Sequence, residues 1–574
     1  MKTKKILSVI ILVNLVILSS VSCVKIDKDY TKTETESVKT TVNRKEENKE
    51  SGEDKEKLIS EIPHILLEES DGAEYDSEYR CLYYINNVHL KLKENGKEFE
   101  PLIKAFDKYN KETDKIYEYD RTELSSYPHP ADEEDTEDEN TGYFEKTPSV
   151  NTTTYVVRAD KSIVSVINYK HAYYGGENPE YHRYSYNFDT ATGKELEFRD
   201  IVKDEEKFFE IADERAKEYY PDNEFKKPSE HASEGGKEIT WTANAEGVSV
   251  YFDIYDHDSY MEYPQVITVY FDEAKDLFEP KYTNTEDEYV ILLMGDMKLS
   301  LDIDGDGKKE LVHTEKVNSV GEEVYDSEYS GAKIFVGDKE SERYDGYDYQ
   351  SYIIKKSGKY YMYMFMDEID DAKILYRADL STLEKEDEFR TVRPAVRVVY
   401  SKQNDNNEKY HVIKETFTDA KSFVGDFGYD TLGTNTSEIE WIIDDKGYPV
   451  TAGNRYKITN GRILYTLADI KCTEVDEKGQ RIKDITLPGN SYILLLHTDN
   501  ENYVDVRVTD KKYVDENKWY GEERYFELND QRLLDYDGPC YRIELEHSHD
   551  EYEWGIKVNG VKVDKLFEGI MYSS

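Results

Sequence analysis

From Asn284 to the C-terminus the chain is a succession of short runs in which apolar and polar residues alternate, separated by Gly-, Asp- and Lys-rich turns. "YVILLM", "MKLSLDI", "ELVHTEKV", "AKIFVGD", "SYIIKKSGKYYMYMFM" and "AKILYRADL" follow one another in this way. Past Asn460 come "RILYTLADIKCTEV", "SYILLLHTD", "YVDVRVTD", "YRIELEHS" and "WGIKVNGVKV". A period of two presents one apolar face to a core only when the backbone is extended, so this half is expected to be all-β and antiparallel.

The first half reads differently. "RCLYYINNVHLKLK" is strand-like. Pro101 then opens a run with Leu102, Phe106 and Tyr109 on one helical face. "TTYVVRAD" and "SIVSVINYK" alternate like a hairpin. In "EKFFEIADERAKEYYPD", Phe208, Ile211, Ala212, Ala216 and Tyr219 share a face until Pro221 ends the helix. "GVSVYFDIY" and "VITVYF" add strands. The expected fold is therefore an α+β N-terminal half, an antiparallel sheet with helices, followed by all-β C-terminal domains. The implied order is a signal segment 1–23, a flexible tether 24–55, a small α+β domain 56–128, a second α+β domain 150–282, an all-β domain 285–460 and a C-terminal barrel or sandwich 461–574.

The N-terminus speaks to location. Lys2, Lys4 and Lys5 precede an apolar stretch, Ile6 to Leu18, broken only by Ser8 and Asn14. It is shorter than the roughly 20 residues a spanning helix needs. "LSSVSC" resembles the lipobox of bacterial lipoproteins, with Ser20 where Leu is usual, which implies acylation of Cys23 and a chain held at the extracytoplasmic side of the cell membrane by lipid alone; ordinary secretory cleavage and an uncleaved anchor are the other readings. Residues 24–55 are polar and of mixed charge, as a tether is. In that compartment Cys81, Cys472 and Cys540 leave at least one free thiol, and Cys472–Cys540 is the same-domain pair to consider.

With 123 Asp+Glu against 75 Lys+Arg the formal charge is −48. Such a chain is repelled by nucleic-acid phosphate and by anionic lipid, and attracts cationic partners. Some of the charge sits in an expected solvated loop, Asp132–Glu139. More of it is organised in "SLDIDGDGKKELVH". Asp302, Asp304, Asp306 and Glu310, with Gly307 at the bend and the Lys308 carbonyl, match the first nine positions of an oxygen-ligand Ca²⁺ loop. His313 stands where the twelfth-position Glu would be, and strands flank the loop. It therefore resembles the calcium loops of FG-GAP-type β repeats, with Ca²⁺ in a structural role, an empty Asp-Gly turn being the other reading.

A second resemblance rests on longer blocks. Tyr173-Tyr174-Gly175-Gly176, Asn187-Phe188-Asp189, Thr192-Gly193-Lys194 and Phe198-Arg199-Asp200-Ile201 follow one another. Tyr251, Phe252, Tyr255 and Tyr260 then precede Pro264 and a strand. These resemble the RsiV-like extracytoplasmic domain of lysozyme-sensing anti-sigma factors and PdaC-type peptidoglycan deacetylases, over residues 150–282. Residues 56–128 fall in the slot of the small domain that precedes it. The chain departs from the family at Glu177-Asn178, where Ala-His is common, and at Tyr263, where Gly is common. The resemblance implies a ligand-facing surface near Tyr173, Tyr174, Gly175, Gly176, Tyr186, Tyr255 and Tyr260. It also implies an extracytoplasmic protein, such as a cationic lysozyme-like one, or a peptidoglycan-related ligand. The tyrosines equally suit half-buried strand positions.

The metal motifs of the deacetylases are not visible, and GxSxG, HExxH, Walker A and GxGxxG are not found, so no catalysis is expected. The sequence-level alternatives are an envelope enzyme or accessory acting on glycans through an unrecognised carboxylate pair, and a calcium-dependent β scaffold. "HSHD" (His547–Asp550) reads as a polar turn and Trp441, Trp519 and Trp554 as core residues.

Overall fold

The structure is a computed structural model. It describes residues 61–75, 81–93, 97–126, 147–175, 179–221, 227–233, 239–252, 265–295, 297–317, 331–346, 348–367, 373–390, 392–394, 396–400, 410–520, 523–536, 538–547 and 555–572. Cys23, the tether, the Asp132–Glu139 loop, Gly176, Tyr255, Tyr260, Tyr263 and Trp554 lie outside them.

The N-terminal half contains β1 (Ile65–Tyr75), β2 (Cys81–Leu92), α1 (Glu100–Leu124), β3 (Ser149–Ala159), β4 (Ile163–Tyr173) and β5 (Glu180–Asp189). Pro101 sits in the first turn of α1, where its missing N–H costs nothing. Leu102, Phe106 and Tyr109 are buried against Val88, Leu90, Val156, Val164, Val166 and Phe188. The strands form a seven-stranded sheet that begins with Val396–Tyr400 and Tyr410–Glu415 and continues β1 to β5 in order. Residues 396–400 and 410–415, which the sequence pattern leaves within the all-β half, thus complete the N-terminal sheet, with Leu66 opposite Glu415 and Asp71 opposite Tyr410.

β2 and β3 run parallel and pair only at Tyr84–Ser149 and Ile85–Val150. Below that point α1 takes over the edge of β2. Its first turns pack on Val88 and Leu90, while Asp114 accepts from Asn87 at 2.9 Å. Neighbouring strand residues point to opposite faces, so the helix passes the β2 edge from one face to the other.

Next come α2 (Phe198–Ile201), α3 (Glu205–Tyr219), β6 (Trp241–Ala243), β7 (Gly247–Phe252) and β8 (Gln265–Tyr270). Asp204 caps α3 by accepting from Lys207 N at 3.1 Å. Phe208, Ala212, Ala216 and Tyr219 bury against the three-stranded sheet β6–β8.

The remainder is sheet. β9 (Tyr289–Leu293) joins Asp348–Lys356, Lys359–Asp367, Lys373–Asp379 and Lys385–Arg390 in one sheet; β10 (Leu299–Leu301), β11 (Glu310–Val317) and β12 (Gly331–Val336) build another. A 14-stranded sheet continues across residue 460, since Ser437 pairs with Ile458 and Tyr456 with Thr498. Among the described residues no helix is long and apolar enough to cross a membrane.

Candidate metal centre and tyrosine face

The acidic turn joins β10 to β11. Gly305 and Gly307 hold φ of 78° and 85°, a conformation that non-glycine residues resist. The bend folds the chain back so that carboxylate oxygens of Asp302, Asp304 and Glu310 lie within 4.8 Å of one another. Backbone N–H groups hold the acids in place. Ile303 N donates to Glu310 Oε2 (2.9 Å), Gly307 N to Asp302 Oδ2 (3.1 Å) and Asp306 N to Asp304 Oδ1 (3.1 Å).

Asp306 stands outside this trio: its Oδ1 accepts from Lys308 N at 2.8 Å, and the Lys308 side chain is exposed. Asp302 Oδ1 is buried without a hydrogen-bond partner. An all-oxygen set with one orphaned buried carboxylate oxygen fits a hard divalent cation such as Ca²⁺.

The same hairpin grips the preceding module. Lys309 Nζ pairs with Asp272 (2.7 Å) and Glu273 (3.1 Å), 4.2 Å from the centre of the Tyr270 ring. Tyr219 Oη meets Ser300 Oγ at 2.6 Å, and Ser300 N donates to Tyr270 Oη.

Of the family-motif tyrosines, Tyr173 is half-buried at the end of β4. Tyr174 donates to Asp120 Oδ1 at 3.2 Å, and Lys170 Nζ holds the same carboxylate at 2.7 Å. Burial and then the Asp120 charge push the Tyr174 hydroxyl above its ordinary value. Tyr186 packs edge-on to Tyr109 with ring centres 4.7 Å apart. Gly175 has φ of 84° and open space where a Cβ would stand.

The rest of the motif is scaffold. Asn187 Nδ2 donates to Trp241 O at 3.0 Å, tying β5 to β6. Phe188 meets Phe106 of α1 at 5.6 Å. Asp189 accepts from Thr192 N (2.9 Å) and Tyr282 Oη (2.8 Å) and pairs with Lys281 (2.8 Å). Burial opposes its ionisation, but the Lys281 and Tyr282 bonds outweigh that and hold its carboxyl below the usual range. Gly193 turns at φ of 67° beneath the carbonyl of Pro101.

The same turn recurs among the described residues at Asp379–Glu384, a repeat not foreseen above. Gly193 N donates to Asp189 O at 2.8 Å and Lys194 N to Thr192 Oγ1 at 3.3 Å. Leu383 N donates to Asp379 O at 2.8 Å and Glu384 N to Thr382 Oγ1 at 3.3 Å. The signal was present as Asp-x-x-Thr in "DTATGK" and "DLSTLE".

Trp441 is buried and stacked on Phe423. His547 Nε2 is 2.5 Å from Glu501 O, while Ser548, His549 and Asp550 lie outside the described residues, as does the side chain of Trp519. Cys472 and Cys540 are free thiols, which corrects the pairing considered from sequence. Their strands are neighbours, but Cys540 lies opposite Val475, an odd number of residues from Cys472. The two sulfurs therefore leave opposite faces of the sheet and pack into separate cores.

No family model matches the chain, and no curated protein does. Among solved structures it is similar to a DUF3298 family protein from Pseudomonas aeruginosa PAO1, at 15% identity over 40% of this chain and 98% of that one, with a TM-score of 0.27. It is also similar to a DUF3298 family member from Bacteroides fragilis NCTC 9343, at 14% identity over 38% and 94%, with a TM-score of 0.28.

Proposed function

We propose that the chain is a lipid-anchored extracytoplasmic protein, acylated at Cys23, that binds a cationic protein such as lysozyme without catalysing a reaction on it, and that Ca²⁺ on Asp302, Asp304 and Glu310 stiffens its β10–β11 turn. The observation that carries the reading is the charge balance of −48. The paired cations are committed internally: Lys170, Lys356 and Lys309, for example, each hold an acid of this chain. The surplus carboxylates are available to steer and hold a positively charged partner.

The test is a titration of the full chain with lysozyme and with a neutral protein of similar size. Binding confined to lysozyme, and weakening steeply from low to physiological salt, is expected. Equal binding of both proteins, or none of lysozyme, removes the reading. For the metal, EDTA is expected to lower the melting temperature and Ca²⁺ to restore it; an unchanged value removes that part.

A further inference from the structure

We infer that the β10–β11 hairpin is a clasp that couples the acidic turn to the α3/β6–β8 module: a divalent cation held by Asp302, Asp304 and Glu310 closes it, and removal of the cation loosens the module. The inference rests on the Ca²⁺ reading of the turn and adds what that turn controls.

The hairpin is short. β10 has three residues and stands first in its sheet. It pairs with β11 at Leu299–Val312, Ser300–Leu311 and Leu301–Glu310. The acidic turn springs from the last of these pairs, and the pair beside it touches the module. So brief a ladder has little stability of its own, and closure of the turn bears directly on where Ser300 and Leu311 sit.

Side chains alternate across the hairpin. Leu299, Leu301 and Val312 are buried in one core, whereas Leu311 packs on the core of the module, which contains Phe208, Tyr219 and Val269. Ser300 Oγ meets Tyr219 Oη at 2.6 Å, and Ser300 N donates to Tyr270 Oη. Lys298 Nζ donates to Tyr219 O at 3.0 Å, where a cation also suits the C-terminal end of α3. The buried Tyr270 ring has the Lys309 amine 4.2 Å and the Arg215 guanidinium 4.5 Å from its centre.

Charge supplies the coupling. Lys309 holds Asp272 and Glu273 of the module at 2.7 and 3.1 Å, and the residue after it is Glu310 of the carboxylate trio. One short segment therefore joins two groups of acids. Carboxylates left uncompensated in the turn repel Asp272 and Glu273 and compete with them for the Lys309 amine. Two positive charges on the trio remove both effects and leave Lys309 to the module. Asp302 Oδ1, buried and without a hydrogen-bond partner, is the oxygen the turn itself does not satisfy.

Hydrogen exchange of the full chain, read by mass spectrometry in excess CaCl₂ and in EDTA, tests the clasp. In wild type, Ca²⁺ is expected to slow exchange roughly fivefold or more at residues 216–220 and 269–273 as well as at 303–310, and to leave 493–496 unchanged. Lys309→Met keeps an apolar stem beside Tyr270 and removes the amine; Tyr219→Phe removes the bond to Ser300 Oγ. In each variant, protection of 303–310 by Ca²⁺ is expected to persist while the response of 269–273 shrinks. Lys483→Met, at an exposed site in the C-terminal half, is expected to respond as wild type does. Melting temperatures in EDTA close to wild type establish that the variants fold. Slowing confined to 303–310 in wild type overturns the clasp and keeps the Ca²⁺ reading. An undiminished response of 269–273 in both variants overturns the clasp as well. No slowing anywhere, with no heat of Ca²⁺ binding in calorimetry, removes the Ca²⁺ reading and the clasp with it.

Discussion

The side chain of Asn110 stands in for a neighbouring strand at Leu90: its Oδ1 accepts from Leu90 N at 2.9 Å and its Nδ2 donates to Leu90 O at 3.1 Å. This is where β2 has parted from β3 and α1 crosses its edge. Asn86 does the same one step earlier, accepting from Thr152 N and donating to Thr152 O. Replacing Asn110 by Ala leaves two main-chain groups without partners and is expected to cost about 1–3 kcal/mol, read as a lower urea midpoint at unchanged slope. Asn110→Asp keeps the acceptor and is expected to cost less.

Gly193 and Gly175 separate backbone strain from close approach. Both have positive φ, but a Cβ on Gly193 would stand 2.3 Å from Pro101 O, and one on Gly175 meets nothing within 4 Å. Gly175→Ala is expected to cost about 1 kcal/mol and Gly193→Ala at least about 2 kcal/mol more. Thermal unfolding of the two variants checks the order.

Asp71 and Glu415, carried by paired strands, respond to pH in opposite directions. Burial, followed by the charge of Glu69, raises the Asp71 carboxyl to about 6. The folded state thus binds the Asp71 proton more tightly than the unfolded chain, whose value is near 4, so the residue subtracts from stability as pH rises from about 4 to 6 and above. Asp71→Asn is expected to stabilise by roughly 1–2 kcal/mol at pH 8 and to lose that advantage toward pH 4.

For Glu415, burial opposes ionisation, but the bonds to His64 and Lys93 hold its carboxyl below the usual value. Its contribution is present above the unfolded carboxylate value and is lost as pH falls through the lowered folded one. Glu415→Gln is therefore expected to destabilise at pH 7 and to approach wild type in acid, as denaturation at a series of pH values reads.

Asp302→Asn removes the oxygen that has no partner in the acidic turn. It is expected to abolish the rise in melting temperature on adding Ca²⁺ while changing the metal-free value little. Asp306→Asn, outside the carboxylate trio, is expected to keep most of the rise.

Burial pushes the thiols of Cys472 and Cys540 up to about 11. Both are expected to resist a thiol reagent in the folded protein and to react on unfolding, and reducing agent is expected to leave the melting temperature unchanged.

The sequence by itself determined the features that depend on near neighbours. Period two beyond Asn284, period 3.6 after Pro101 and again before Pro221, and the Asp302–Glu310 turn are local, because each is decided by residues within a few positions of one another. Tertiary structure decided which surfaces meet. Nothing in the alternation of "YHVIKE" states that it pairs with Ile65–Tyr75, more than 300 residues earlier; an apolar face and an open edge accept many partners, and only packing of the whole chain selects one. The same holds for Asp189, legible as a turn residue but not as the partner of Lys281, and for Asn110, whose pattern announces a helix surface and not the substitute for a missing strand. Backbone polar groups must be satisfied wherever strands part, and that demand arises only once the strands have been placed.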